Sequence, residues 1–253
     1  MTIIRDTGLL WRRKLLETLR QPVWVIVGLS TPLLYLALFA PLLHRLAGGP
    51  GFPRAGVLDV FVPGVLCLMA FGAGMGAGWV VIFERDTGVL ERLRTTPASR
   101  FALLMGTVLR DIVMLLVPAV LVIAVAIPFG YRPHPGGIAV LLVLLALMTA
   151  IVSAWSGALG LILRQIGSLA AVVTGLQLPL TLLSGVLLPM SLAPGWLRVL
   201  AHLNPLYYAV QASRALSAGT IANWTVISAF LVLAGLAAVT LAWATRAYRT
   251  AMA

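Results

Sequence analysis

Catalysis, metal binding and proton transfer all need ionisable or nucleophilic side chains brought close together, and this chain offers few. Its three histidines, His44, His134 and His202, lie far apart and show no metal-ligand spacing. Each reads as a solvated loop residue. Ser156, followed by Gly157, sits in an apolar run. A nucleophilic serine needs a base within hydrogen-bond reach, and no apolar run contains a histidine. Cys67 is the single cysteine, which excludes an internal disulfide. Arg110 and Asp111 are adjacent charges near the start of another apolar run. A proton relay would want further acids in other runs, and only Asp59 comes near one. A local structural role is therefore expected, with the charges close enough to the interface to snorkel. Gly72, Gly74, Gly76 and Gly78 alternate but do not fit a phosphate loop. They form two small-xxx-small pairs suited to close helix packing. No catalytic residue, metal site or bound cofactor is expected on this chain.

The elements that must position these residues follow from composition. The chain has 253 residues, 61% hydrophobic and only 10% charged, against about a quarter charged in soluble domains. This is the composition of an all-α polytopic membrane protein. A span needs about 20 apolar residues. Six segments reach that length, near 22–43, 56–83, 102–129, 137–163, 167–190 and 222–245. The net charge of +11 is explained by arginines flanking spans, not by a nucleic-acid surface. With six spans and the N-terminus inside, thirteen Lys and Arg residues fall on the cytoplasmic side and five outside. That bias predicts both termini in the cytoplasm and a multi-pass location in the plasma membrane. No cleavable signal peptide is evident at the charged N-terminus.

Residues 7–20 place Leu9, Trp11, Leu15, Leu16 and Leu19 at roughly helical spacing, with Arg12, Arg13, Lys14 and Glu17 between them. An interfacial helix on the cytoplasmic leaflet is predicted, running to Arg20 and stopped by Pro22. Residues 84–100 hold three of the seven acids, Glu84, Asp86 and Glu91, and four arginines, Arg85, Arg92, Arg94 and Arg100. If these residues are helical, Asp86, Leu90, Leu93 and Pro97 line up on one side, and Glu84, Gly88, Glu91 and Thr95 on another. Leu90 and Leu93 then suit insertion into a partner's apolar cleft, with Glu84, Glu91, Arg92 and Arg94 pairing at its rim. Thr96-Pro97 stops the helix, and Arg100 anchors the next span.

The segment 191–221 contains two stretches, near 194–203 and 205–217, each too short to span. Asn204-Pro205 forms the turn between them, and Trp196, Tyr207 and Tyr208 suit an interfacial depth. A re-entrant helical pair on the outer face is expected.

Together these residues resemble the permease subunit of type-2 ABC exporters, the family that includes daunorubicin-resistance permeases. The likeness rests on Arg20-Gln21-Pro22, on the whole of Glu84 to Arg100, and on a third patch. That patch runs from Leu183-Ser184-Gly185 to Pro189, then through Pro194-Gly195-Trp196 and Leu203-Asn204-Pro205-Leu206-Tyr207-Tyr208 to Arg214. The resemblance implies that residues 84–100 are a coupling helix, and that ATP and Mg are handled by a separate ABC ATPase subunit. It also implies a homodimer, or a heterodimer with a related permease, embedded in lipid. The absence of Gly-x-x-x-x-Gly-Lys, with Lys14 the only lysine, agrees with a chain that has no motor of its own. A hydrophobic or amphipathic cargo, most naturally a drug or antibiotic, is the leading expectation. A lipid or lipid-linked glycan is the alternative. An ATP-independent channel or secondary carrier is the rival of another class, but it would want inverted repeats or midplane charges.

Overall fold

A computed structural model describes residues 3–20, 28–30, 32–34, 37–38, 57–94, 99–186 and 193–251. Most of the expected first span, together with Thr95, Pro97 and Pro189, lies outside the described residues. No strand occurs among those described. Five helical stretches are long and apolar enough to cross a membrane: Leu58–Asp86, Arg100–Phe129, Pro135–Leu163, Ile166–Leu183 and Trp224–Ala251. The chain is an all-α, multi-pass membrane protein.

Helix α1 covers Ile3–Leu19. The first of the five crossings is built from α2, Val57–Met75, and α3, Ala77–Asp86, which meet at Gly76. A short helix α4 follows, Val89–Arg94. Helix α5, Arg100–Ala126, starts where Ser99 accepts a hydrogen bond from the Ala102 amide at 3.1 Å. Helix α6, Pro135–Leu163, opens with proline at its first position, where the missing amide costs nothing. Its last turn is closed by Arg164 in the left-handed region, φ 60°, and α7 follows at Ile166–Leu183. The short helices α8, Gly195–His202, and α9, Pro205–Ser217, precede the last crossing, α10, Trp224–Ala251.

Helix α6 is the hub, touching α2, α3, α5, α7, α9 and α10. Its Leu141, Leu144, Leu145, Met148, Ile151 and Val152 are buried among side chains of those neighbours. Helix α7 is the opposite case: only Leu169 and Val173 are buried along its length, while Leu176, Leu178 and Leu182 are exposed. In water such a helix would not hold, but lipid tails solvate leucine as well as a core does, and the helix satisfies its own backbone.

The glycine series divides in two. A Cβ on Gly74 would lie 2.7 Å from Val152 Cβ, and one on Gly78 would lie 2.6 Å from the Ser156 carbonyl oxygen. These two let α2 and α3 press against α6. Gly72 has nothing within 4 Å and Gly76 meets only Ala73, so the expectation of two packed pairs is corrected to one. Ser156 explains how the break at Gly76 is tolerated in an apolar setting. Its hydroxyl donates to the Met75 carbonyl at 2.6 Å and accepts from the Gly78 amide at 3.1 Å. Thr149 donates similarly to the Ala70 carbonyl at 3.2 Å.

Candidate functional site

The charged stretch is two pieces of structure, not one helix. Glu84, Arg85 and Asp86 form the last turn of α3, so they continue the membrane crossing. The ladder then stops at Thr87, whose hydroxyl turns back to the Phe83 carbonyl at 2.8 Å. Gly88 follows with φ 71°, a left-handed conformation that glycine adopts without strain. The chain turns there and α4 starts. The single set of aligned faces expected across residues 84–97 is therefore interrupted.

That corner reverses the expected roles of several residues. Leu90 and Leu93 are buried, 5% and 8% exposed, against Val81, Leu103, Leu104, Ala158, Leu161 and Tyr248. They root α4 in its own bundle and offer nothing to an apolar cleft on another protein. Asp86, Thr87, Glu91 and Arg92 are exposed, and Arg85 is half-buried. Within this stretch the exposed side chains are therefore polar, with Phe83 exposed just before it. Arg85, Leu90, Glu91, Leu161, Arg164 and Ala251 line a cleft of about 240 Å³ where the ends of α3, α4, α6 and α10 converge. Sequence reading passed over Arg164, whose left-handed backbone puts a long cation where glycine is the usual cap.

Glu84 does not sit on a rim either. Its carboxylate accepts from the Lys14 ammonium at 2.6 Å, with side chains 12% and 6% exposed. Lys14 had been placed on the polar face of an interfacial helix. The structure instead packs α1 along α5, where a Cβ on Gly106 would come within 3.0 Å of Leu10 Cβ. Asp6, Leu10, Lys14 and Thr18, spaced by four, form the inward stripe and are buried or half-buried. Trp11 is half-buried beside them. Leu9, Arg12, Arg13, Leu16, Leu19 and Arg20 face outward, with Arg13 paired to Glu17 at 2.9 Å. An inward stripe at i, i+4 containing one lysine is the signal that could have revealed this pairing.

Deeper in the bundle, Arg110 does not snorkel. It folds onto Asp111, donating through both Nε, at 2.9 Å, and Nη2. Ser153 of α6 donates to the other Asp111 oxygen at 2.6 Å. All three are at most 6% exposed. One buried ion pair, Lys14 with Glu84, thus joins α1 to α3; the other, Arg110 with Asp111, lies within α5, and its carboxylate joins α5 to α6 through the Ser153 hydrogen bond. The structural role expected for Arg110 and Asp111 matches this geometry.

At the opposite end of the bundle, α9 is the packed member of the short pair. Leu206, Ala209, Val210, Ala212, Ser213 and Leu216 are buried against α2, α6 and α10. Asn204 does more than turn the chain. Its side chain accepts from the Leu206 amide at 3.0 Å and donates to the Leu180 carbonyl at 2.7 Å, tying α9 to α7. Pro205 fills the first helical position, and half-buried Tyr207 lies with its ring centroid 5.1 Å from His202 and 5.7 Å from Tyr208. Arg214 donates to the carbonyls of Val60, Gly185 and Val186, at 3.2, 2.8 and 3.2 Å. It thus gathers α2, the end of α7 and α9. Helix α8 presents Trp196, Val199 and Leu200 outward, and Leu203 just after it is exposed too. Tyr131, whose hydroxyl lies 2.7 Å from Ser217 Oγ, is pushed up to about 12 by burial.

Comparison with known proteins agrees with this architecture. The ABC-2 type transporter family model matches residues 5–217. The transport permease named ycf38 of Cyanophora paradoxa is 29% identical over 213 residues, covering 83% of this chain and 73% of that protein. The daunorubicin resistance ABC transporter permease protein DrrB1 of Streptomyces coeruleorubidus is 27% identical over 230 residues, 90% of this chain and 80% of its own length. The inner membrane transport permease YadH of Escherichia coli strain K12 is 25% identical over 215 residues, 81% and 80% of the two chains. The matched region runs from α1 to the end of α9 and includes both buried ion pairs and the α3–α4 corner. On that match the chain belongs to the ABC-2 type transporter family and is a transport permease.

Proposed function

We propose that this chain is the membrane subunit of an ATP-driven exporter, working with a separate ABC ATPase that docks on the α3–α4 corner. The observation that carries the reading is that corner itself. A six-residue helix is rooted by Leu90 and Leu93 and turns Glu91 and Arg92 outward, beside the exposed Asp86 and Thr87 at the end of α3. A short, firmly held, polar projection is a suitable shape for receiving a push from a neighbouring subunit. The positive-inside bias puts it in the cytoplasm, with both termini on the same side. Two copies, or this chain and a related one, complete the transport path.

The cargo is a hydrophobic or amphipathic molecule, taken from the inner leaflet or cytoplasm and moved outward. Two features support this. Apolar surface covers nearly all of α7, and one relative carries daunorubicin resistance in its name. The test is to express the chain with the ABC ATPase it co-purifies with and to measure daunorubicin accumulation in inverted membrane vesicles. ATP-dependent uptake, lost in Glu91→Arg with Arg92→Glu while the permease remains folded, is the expected result. Normal co-purification and uptake in that variant would overturn the docking assignment. Uptake of a fluorescent lipid in place of the drug would favour the lipid reading. Failure of any ATPase to co-purify with the wild type would favour a channel or carrier.

A further inference from the structure

We infer that Lys14 and Glu84 form a clamp that makes α1 and the α3–α4 corner a single mechanical body. A push received at α4 is then delivered to α1 and, through it, along α5. This rests on the ATPase-docking reading above and names the residues that transmit its force.

Three observations converge. The pair is short and buried at 2.6 Å, it joins residues 70 positions apart, and it uses the only lysine in the chain. Glu84 sits one turn ahead of the Thr87–Gly88 break, so the clamp grips α3 immediately before the chain bends into α4. On its other side, α1 is pressed into α5 at Gly106, while α5 is joined to α6 by Asp111 and Ser153.

The physical reason for a charged clamp is its resistance to sliding. Two apolar helices can shift past one another while exchanging one methyl contact for another. Separating a lysine from a glutamate in a buried setting leaves both charges unpaired, which is strongly unfavourable. The same principle separates fastening from fold stability. A buried ion pair replaced on both sides by apolar residues of similar volume commonly leaves stability unchanged or raised. A Lys14→Met, Glu84→Met variant should therefore fold and yet lose the fixed linkage.

The experiment places nitroxide labels on exposed positions in a Cys67→Ser background, reconstituted in lipid nanodiscs. One pair is Arg13→Cys with Phe83→Cys, reporting α1 against the end of α3 at an exposed position outside the docking residues. The second is Phe83→Cys with Thr250→Cys, reporting the end of α3 against the end of α10. In the wild-type complex with its ATPase, adding ATP and vanadate should shift the second distance and leave the first unchanged. In the double methionine variant the first distance should shift or at least double in width, while the melting temperature stays at or above the wild-type value. The charge-exchanged variant, Lys14→Glu with Glu84→Lys, should restore the narrow first distance.

A first distance that moves with nucleotide in the wild type, or that stays narrow in the methionine variant, would overturn the clamp. If no ATPase binds the wild type, the docking reading fails by itself. The clamp is then judged on the permease alone, by the width of the first distance in wild-type, methionine and charge-exchanged chains. Should the methionine pair not yield folded protein, Lys14→Met with Glu84→Gln, which likewise leaves no unpaired charge, supplies the same comparison.

Discussion

Leu90 and Glu91 are neighbours on α4, and their substitutions should fail in opposite ways. Leu90 is 5% exposed and belongs to the cluster formed by Val81, Leu93, Leu103, Leu104 and Leu161. Truncating a core leucine to alanine costs about 2–5 kcal/mol. The lower part of that range applies here, because α4 is six residues long and can loosen locally without unfolding the bundle. For a chain of this size about 2–3 kcal/mol corresponds to a fall of roughly 4–12 °C in melting temperature. Glu91 is exposed, so Glu91→Ala should move the melt by no more than about 0.5 kcal/mol. The assay is intrinsic tryptophan fluorescence during heating of purified protein, paired with the yield of co-purified ATPase. Leu90→Ala should lower the melting temperature, and what folded protein remains should still bind the ATPase at low temperature. Glu91→Arg should melt normally and bind poorly. If Leu90→Ala leaves the melt unchanged but removes the ATPase, Leu90 is a docking residue, and the burial of α4 does not describe the working protein.

Other outcomes follow from the same physics. Ser156→Ala leaves the Met75 carbonyl and the Gly78 amide without their partner, and should cost about 1–2 kcal/mol, read from the thermal melt; no change would mean that the helix closes the break by itself. Gly78→Leu forces a side chain into the backbone of α6 and should abolish folded expression, whereas Gly72→Ala, with open space around it, should be neutral in the same fluorescence-detected size-exclusion assay. Arg214→Met removes three bonds to backbone carbonyls from two other segments; a lower melting temperature is expected, and an unchanged melt would refute the clasp. Asp111→Leu leaves the Arg110 guanidinium buried without its carboxylate and should destabilise by about 3–5 kcal/mol, while Arg110→Met combined with Asp111→Leu should recover much of that loss.

Much of the architecture was written in the chain because the membrane imposes simple rules. Apolar runs of sufficient length must be helices, since lipid cannot satisfy a bare backbone. Five helices long and apolar enough to cross are described, and two of them depart from the expected limits by six or seven residues: α7 ends at Leu183 where 190 was expected, and α10 runs to Ala251 past 245. The two short helices after residue 193, the turn at Asn204-Pro205 and the family resemblance were legible for the same reason: each is a local pattern of length, proline and hydropathy. Composition also singled out the charged stretch, but not the break at Gly88 that divides it.

Which face of each helix met protein was not legible, because period and hydropathy look alike for a leucine facing lipid, a partner or its own core. Leu90 and Leu93 turned inward because Gly88 redirects the chain and folds α4 back over α5 and α6. Lys14 and Glu84 became partners only when the packing of α1 against α5 brought residues 70 apart to 2.6 Å. Sequence determined which stretches are long and apolar enough to cross a membrane. Tertiary structure decided which charges are surface and which are fastenings, because a buried charge is held by a partner that nothing local in the chain specifies.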